Sequence, residues 1–166
     1  MTAITIGILT ASDKGSRGER LDESGALIRE MVKPIGGEVR RYEIAPDERE
    51  VLAERLMTWA DLDHLDLIFT AGGTGFSPRD VTPEATLQVC DRLVPGLPEA
   101  MRAEGLKKTP MAMLSRAVAG IRGRTLIVNL PGSVKGVRES LQAILPALPH
   151  AIEILRGEGG DCGHDK

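Results

Sequence analysis

Two glycine-bearing segments and a few aspartates carry the chemistry this sequence can offer. Gly72, Gly73 and Gly75 surround Thr74. Glycine lets the backbone take positive φ and bring N–H groups close to an anion, so a phosphate or a pterin ring fits there. In the second segment, Asn129-Leu130-Pro131-Gly132-Ser133, the Gly132-Ser133 step stands at a helix start. Unpaired N–H groups and the helix dipole favour negative charge at such a place, and Lys135 adds a full positive charge. Neither segment is a Walker A loop, since no Gly-Lys-Ser/Thr follows, and neither has the dinucleotide glycine pattern with its acidic partner. P-loop ATPase and NAD chemistry are therefore excluded. Gly-rich turns between strand and helix are common as plain geometry, so it is the joint occurrence of the two segments that points to a site.

Asp47 and Asp80 follow different predicted strands, which lets both reach one rim and share a divalent cation carried by a nucleotide. Each also has a purely structural alternative. Asp47 with Glu50 three residues later matches a capping box, and Asp80 in Pro78-Arg79-Asp80 can pair with Arg79 at the surface. Asp13 sits in a polar loop where solvated charge is the default; Lys14, Arg17 and Arg20 can neutralise phosphates from that loop or simply face water. His64 and His150 read as exposed turn and terminal-helix residues, and Cys90 as a core thiol. Cys162 and His164 are too few ligands for structural zinc.

These residues need elements to position them. Ile4 to Thr10 is a β-branched strand ending in the polar loop Ala11 to Gly18, and Leu27, Ile28, Met31 and Val32 recur at helical spacing before Pro34 and Gly36-Gly37. Glu38 to Ala45 alternates as an edge or half-exposed strand, and Val51, Leu52, Leu56 and Trp59 mark the next helix. Leu65 to Thr70 reads as a buried parallel strand feeding the Gly72 segment. Thr82 is predicted to cap a helix running to about Arg92, with Pro83 at its first position. Leu93 to Pro98 is predicted to interrupt the chain before a helix over Glu99 to Leu106. No element is assigned to 107–123. Thr125 to Leu130 is the last strand, followed by a helix carrying Val137, Leu141, Ile144 and Leu145 and segmented by Pro146 and Pro149. Alternating strands and helices predict a three-layer α/β/α sandwich with a mainly parallel sheet, whose ligands bind beyond the carboxyl ends of the strands.

Composition narrows the class. The 166 residues, 42% of them hydrophobic, suit one globular domain, assigned to 1–157, with a flexible tail over 158–166. A net charge of −3 gives no basic field for general nucleic-acid affinity, and four aromatic residues are too few for a base-stacking surface. No apolar run approaches the ~20 residues of a membrane span, and no secretory signal is visible, which predicts a cytoplasmic protein with reduced Cys90 and Cys162.

The run Gly72-Gly73-Thr74-Gly75-Phe76-Ser77-Pro78-Arg79-Asp80-Val81-Thr82-Pro83-Glu84-Ala85-Thr86 closely resembles the signature of molybdopterin-binding proteins. The likeness extends through Val94 to Arg102, Met113-Leu114-Ser115-Arg116 and Asn129 to Lys135, with Leu9 to Asp13 and Pro46-Asp47-Glu48 also fitting. Among these proteins the sequence is most similar to the short molybdopterin adenylyltransferases of molybdenum cofactor biosynthesis. Insertases and competence-damage-type proteins carry the domain in much longer chains. The resemblance implies the α/β sandwich, and a homotrimer or hexamer. It also implies Mg²⁺-dependent attack of the terminal phosphate of molybdopterin on the α-phosphate of ATP. Asp47 and Asp80 are then the catalytic, magnesium-holding carboxylates. Gly72, Gly73, Thr74, Gly75, Ser115, Asn129, Leu130, Pro131, Gly132 and Ser133 form the molybdopterin pocket, and Ser12 and Asp13 border the nucleotide. A downstream molybdenum insertase is an implied partner. The competing expectation is a non-catalytic homologue that binds pterin or a partner protein.

Overall fold

Six strands form one sheet in the computed structural model, which describes residues 2–159. They are β1 (Ile4–Ala11), β2 (Gly37–Ala45), β3 (Leu67–Ala71), β4 (Arg92–Leu93), β5 (Ala119–Arg122) and β6 (Thr125–Leu130), in the order β2-β1-β3-β6-β5-β4. The four strands β2, β1, β3 and β6 are parallel, and β5 and β4 close that edge in antiparallel fashion. The helices are α1 (Asp13–Ser16), α2 (Glu23–Met31), α3 (Arg49–Asp61), α4 (Thr82–Val89), α5 (Gly96–Leu106), α6 (Val134–Ile144) and α7 (Leu148–Arg156).

Side-chain alternation along β1 builds the three layers. Ile4, Ile6 and Ile8 point to one face, where they join Phe69, Val128, Ile28 of α2, Leu141 of α6 and Ile152 of α7. Leu9 and Ala11 point to the other, against Leu52, Leu56 and Trp59 of α3 and Ala85 of α4. Gly7 leaves room on that second face, because a Cβ there would lie 2.7 Å from the Trp59 ring. With both faces covered, β3 and β6 are buried along their whole length, which explains their mostly apolar sequences, broken only by the buried Thr70, Thr125 and Asn129.

The predicted sandwich and its parallel sheet are what the structure shows, with differences at short elements. The helix from Thr82 stops at Val89, and Arg92–Leu93 pairs with β5 instead of extending it. The expected break between the two helices is present but ends earlier than Leu93 to Pro98, since α5 begins at Gly96; Pro98 lies in its first turn, where a missing N–H costs nothing. The unassigned stretch holds a 3₁₀ turn over Pro110–Leu114 and the strand β5. Asp47 does not cap α3, whose N-cap is Glu48 without a side-chain bond. Nor does Thr82 cap α4, because it lies inside the helix and Val81 takes the cap position. Cys90 is half-buried against Gly120, and burial pushes its thiol up to about 11. Of the assigned tail, Glu158 and Gly159 follow α7, and residues 160–166, with Cys162 and His164, fall outside the described residues. No described helix is long and apolar enough to cross a membrane.

At the amino ends of the strands Asp66 joins three elements. Its Oδ2 accepts from Thr5 N at 2.8 Å and Thr5 Oγ1 at 2.9 Å, and Arg156 of α7 donates to both carboxylate oxygens, at 3.0 and 2.6 Å. Burial alone would raise the Asp66 carboxyl, but the Arg156 and Thr5 bonds outweigh it and hold it below its ordinary value. A carboxyl depressed on folding contributes stability that is complete above its unfolded pKa and is lost as pH falls through the lower folded value. Asp66→Asn is expected to cost about 1–3 kcal/mol at pH 7 and to flatten the acid limb of stability below pH ~4, read by urea titration across pH. An unchanged acid limb would remove Asp66 from this role.

Candidate active site

The chain crosses from β2 back past β1 to β3, so the sheet's order reverses between β1 and β3, and a cleft of about 550 Å³ opens beyond the carboxyl ends of these strands. Four strand exits meet there. The β3 exit makes a tight left-handed turn, with φ of +92° at Gly72 and +69° at Gly73. A Cβ on Gly72 would lie 2.6 Å from the Ala11 carbonyl oxygen, and one on Gly132 would lie 3.3 Å from Gly72 Cα, so the β1, β3 and β6 exits pack backbone against backbone. Gly72 N–H donates to the Leu130 carbonyl, and Ser24 Oγ to the Gly132 carbonyl. Ser133 caps α6 by accepting from Gly136 N at 3.0 Å, which leaves a helix amino end facing the cleft.

The β1 and β2 exits brace each other. Asp13 N–H donates to Asp47 Oδ2, and Asp47 N–H donates to Asp13 Oδ1, both at 3.0 Å. Arg79 grips Asp13 with Nε at 3.0 Å and a terminal nitrogen at 2.9 Å. The Arg79 guanidinium, with the Asp47 N–H, holds the Asp13 carboxyl below its ordinary value. Asp47 is shifted the other way. Burial pushes its carboxyl up, and the negative charges of Asp13 and Asp80 add to the push against the Asp13 N–H it accepts. Asp80 turns its carboxylate into the same cleft and accepts from Ser77 N at 3.0 Å. Of the three carboxylates only Asp13 has a cationic partner, so Asp47 and Asp80 form an anionic pair in need of a cation.

The donor set fits a hard dication that arrives with phosphates. No group of three or more His, Cys, Asp or Glu among the described residues can hold a metal alone. Mg²⁺ is commonly bound by one or two carboxylates plus substrate phosphates, and the backbone N–H groups of Gly73 and the start of α6 suit those phosphates.

Arg116 completes the site and carries no signal that composition or periodicity could reveal. Its N–H donates to Thr74 O at 2.9 Å, while its guanidinium donates to Gly75 O at 2.8 Å, Asp80 O at 2.7 Å and the Glu84 carboxylate. One side chain thus ties both ends of the loop that bears Asp80.

The sequence-predicted residues divide into three places. Ser12, Asp47, Gly72, Gly73, Asp80, Gly132 and Ser133 line the cleft. Ser115 and Pro131 line a second hollow of about 270 Å³ with Arg102 and Lys135, and Ser133 borders both. Asn129 and Leu130 are fully buried and present no side chain to a ligand. Asn129 instead donates to Thr70 and Thr86, each at 2.9 Å, and accepts from Val118 N, fastening β6 to β3, α4 and β5 beneath the site. Thr74 is buried, and Gly75 contributes its carbonyl to Arg116. Arg79 pairs with Asp13, so the surface pairing considered for Asp80 does not form and Asp13 is not a merely solvated charge.

A switch-point cleft with two carboxylates beside a glycine turn and a helix amino end marks an α/β protein whose candidate ligand site lies at the carboxyl ends of its strands. Residues 7–150 match the family described as "Probable molybdopterin binding domain", and the chain belongs to that family. It is 44% identical over 159 residues to the "Molybdopterin adenylyltransferase" of Helicobacter pylori strain J99, covering 95% of this chain and 90% of the relative. It is 45% identical over 92% of its length to gephyrin of Dictyostelium discoideum, of which it covers 23%. Among solved structures, the molybdopterin biosynthesis enzyme MoaB of Thermus thermophilus superposes with a TM-score of 0.88 at 59% identity, over 93% of this chain and 97% of that one.

Arg116→Lys keeps the charge but cannot reach both loop carbonyls and Glu84 at once. It is expected to cost about 1–3 kcal/mol and to speed amide exchange over residues 75–80 while leaving β1 unchanged. Exchange at the native rate in that loop would show that Arg116 does not hold it.

Proposed function

We propose that this protein is a molybdopterin adenylyltransferase that transfers AMP from ATP to the terminal phosphate of molybdopterin in molybdenum cofactor biosynthesis. The observation that carries the reading is the placement of Asp47 and Asp80 on one cleft between the Gly72–Gly73 turn and the start of α6. Relatives named for this activity along most of the chain support it.

In this reading a phosphate oxygen of molybdopterin attacks the α-phosphorus of ATP. A phosphoanhydride to AMP forms, and the bond to the β-phosphate breaks with its electron pair leaving on pyrophosphate. Both reactants are anionic, so the protein's task is to seat them side by side against their repulsion. The backbone N–H of Gly73 and those at the start of α6 receive phosphate oxygens without side-chain reorganisation, while the Gly72 N–H ties the turn to the Leu130 carbonyl. Asp47 and Asp80 hold Mg²⁺, which supplies charge neutralisation on the phosphates when bound. Ser12 and Asp13 border the nucleotide, with Asp13 kept in place by Arg79 and Asp47. The hollow holding Ser115, Pro131 and Lys135 receives the pterin, so Ser133 stands between the two reactants.

The same reading assigns residues 1–157 to the catalytic domain, α7 closing at Gly157 in the left-handed conformation that ends helices. It includes cytoplasmic operation and a homotrimer, supported by exposed Leu93, Leu106, Met111 and Met113. A downstream molybdenum insertase is the implied consumer of the product.

The test is an anaerobic incubation of the full chain with molybdopterin, ATP and Mg²⁺, following pyrophosphate release and adenylylated molybdopterin by mass. Pterin-dependent product is the expected result. Pterin binding without product would instead mark a non-catalytic carrier. Asp47→Asn and Asp80→Asn keep an acceptor oxygen for Asp13 N and Ser77 N while removing the charge. Each is expected to lower turnover at least ~100-fold while changing stability by no more than about 1 kcal/mol. Full turnover in either variant would remove that carboxylate from the reaction.

A further inference from the structure

Thr82 opens α4 immediately behind the Gly72–Gly73 turn. Its N–H donates to the Gly73 carbonyl at 3.2 Å, and its own carbonyl accepts from Thr86 Oγ1 at 3.0 Å. The side chain is completely buried, yet its Oγ1 has no hydrogen-bond partner among the described residues. Three other buried threonine hydroxyls nearby are satisfied: Thr70 and Thr86 accept from Asn129, and Thr10 donates to Asp22. A buried hydroxyl left unpaired costs free energy that an apolar side chain of the same shape would not. Such a group calls for a reason.

Its direction supplies one. A Cβ placed on Gly73 would lie 2.3 Å from Thr82 Oγ1 and 3.4 Å from Asp47 Oδ1, so both oxygens converge on one face of Gly73. Asp47 Oδ2 is already taken by Asp13 N–H, whereas Oδ1 receives no bond from the described residues. A donor without an acceptor therefore faces a carboxylate oxygen without a donor, across the residue whose missing side chain keeps the gap open. Direct contact of Thr82 with a cation is disfavoured, because its hydroxyl has no surface open to the cleft.

We propose that Thr82 is a positioning residue for Asp47: when nucleotide and cation load the cleft, the Thr82 hydroxyl donates to Asp47 Oδ1 over Gly73 and fixes the orientation in which the carboxylate holds the cation. The inference rests on the reading of Asp47 as a cation-holding carboxylate. It explains three sequence choices together: a hydroxyl at position 82, glycine at 73 and aspartate at 47.

The test compares wild type, Thr82→Val, Thr82→Ser and Asp47→Asn as full chains. Mn²⁺ binding is measured by electron paramagnetic resonance with α,β-methylene-ATP present, and melting temperature is measured without ligand. Thr82→Val is expected to weaken Mn²⁺ binding about tenfold, the value of one bond to a charged group. It should melt at or above the wild-type temperature, since it removes an unpaired polar group, and Thr82→Ser should restore binding. Wild-type binding by Thr82→Val alongside loss in Asp47→Asn would overturn the role of Thr82 and leave the site reading standing. Wild-type binding by Asp47→Asn would overturn the site reading itself. A lower ligand-free melting temperature for Thr82→Val would mean that the hydroxyl is already satisfied, and equal weakening by Val and Ser would mean that packing is responsible; either sinks the proposal.

Discussion

The left-handed turn at Gly72–Gly73 is the constraint from which the rest of the site follows. A strand leaving a parallel sheet normally carries its side chains away from its neighbours. Here the β3 exit turns so sharply that its backbone touches Ala11 on one side and Gly132 on the other. That contact brings the β1, β3 and β6 exits to one cleft, with the Gly72 N–H tied to the Leu130 carbonyl. Any Cβ at Gly72 would push against a carbonyl oxygen, in a backbone region that L-residues seldom adopt. The glycines are required by geometry before they are useful to chemistry.

Charge is organised around that turn in two tiers. Arg79 neutralises Asp13, and Asp13 in exchange for a backbone bond fixes Asp47, so the arginine acts on the cleft through an intermediary. Arg116 does the same for Asp80, gripping its carbonyl and not its carboxylate. Both arginines therefore hold the acidic residues in place without pairing with the Asp47 and Asp80 carboxylates. Direct salt bridges to Asp47 and Asp80 would have stabilised the free protein and left nothing for a ligand to complete.

The layers and the parallel sheet were legible because burial on both faces leaves apolar runs such as Leu67–Ala71 and Thr125–Leu130, and because glycine and proline punctuate the exits. Asp47 and Asp80 were legible as rim residues for the same reason. What sequence pattern could not resolve was which polar group satisfies which. Asn129 looks like a ligand group beside Pro131 and Gly132, but strand alternation turns it inward to Thr70 and Thr86. Asp47 matches a capping box, but the competing acceptor role toward Asp13 N–H wins because the two strand exits are adjacent in space. Arg116 lay in a stretch with no periodicity, and its importance depends on contacts 32 to 41 residues away along the chain.

Stability and site readiness are held at opposite ends of the sheet. At the amino ends, Asp66 and Arg156 are saturated by Thr2, Ala3 and Thr5, so the termini of β1, β3 and α7 are locked where no ligand is needed. At the carboxyl ends the polar groups are left incomplete: a raised Asp47 carboxyl, an unpartnered Thr82 hydroxyl and helix N–H groups facing a cleft. A protein of marginal stability can keep such a deficit only if it is concentrated and offset elsewhere. Here it lies at and just behind the cleft, where Thr82 Oγ1 and Asp47 Oδ1 converge on Gly73, while the opposite end of the sheet is held by saturated pairs.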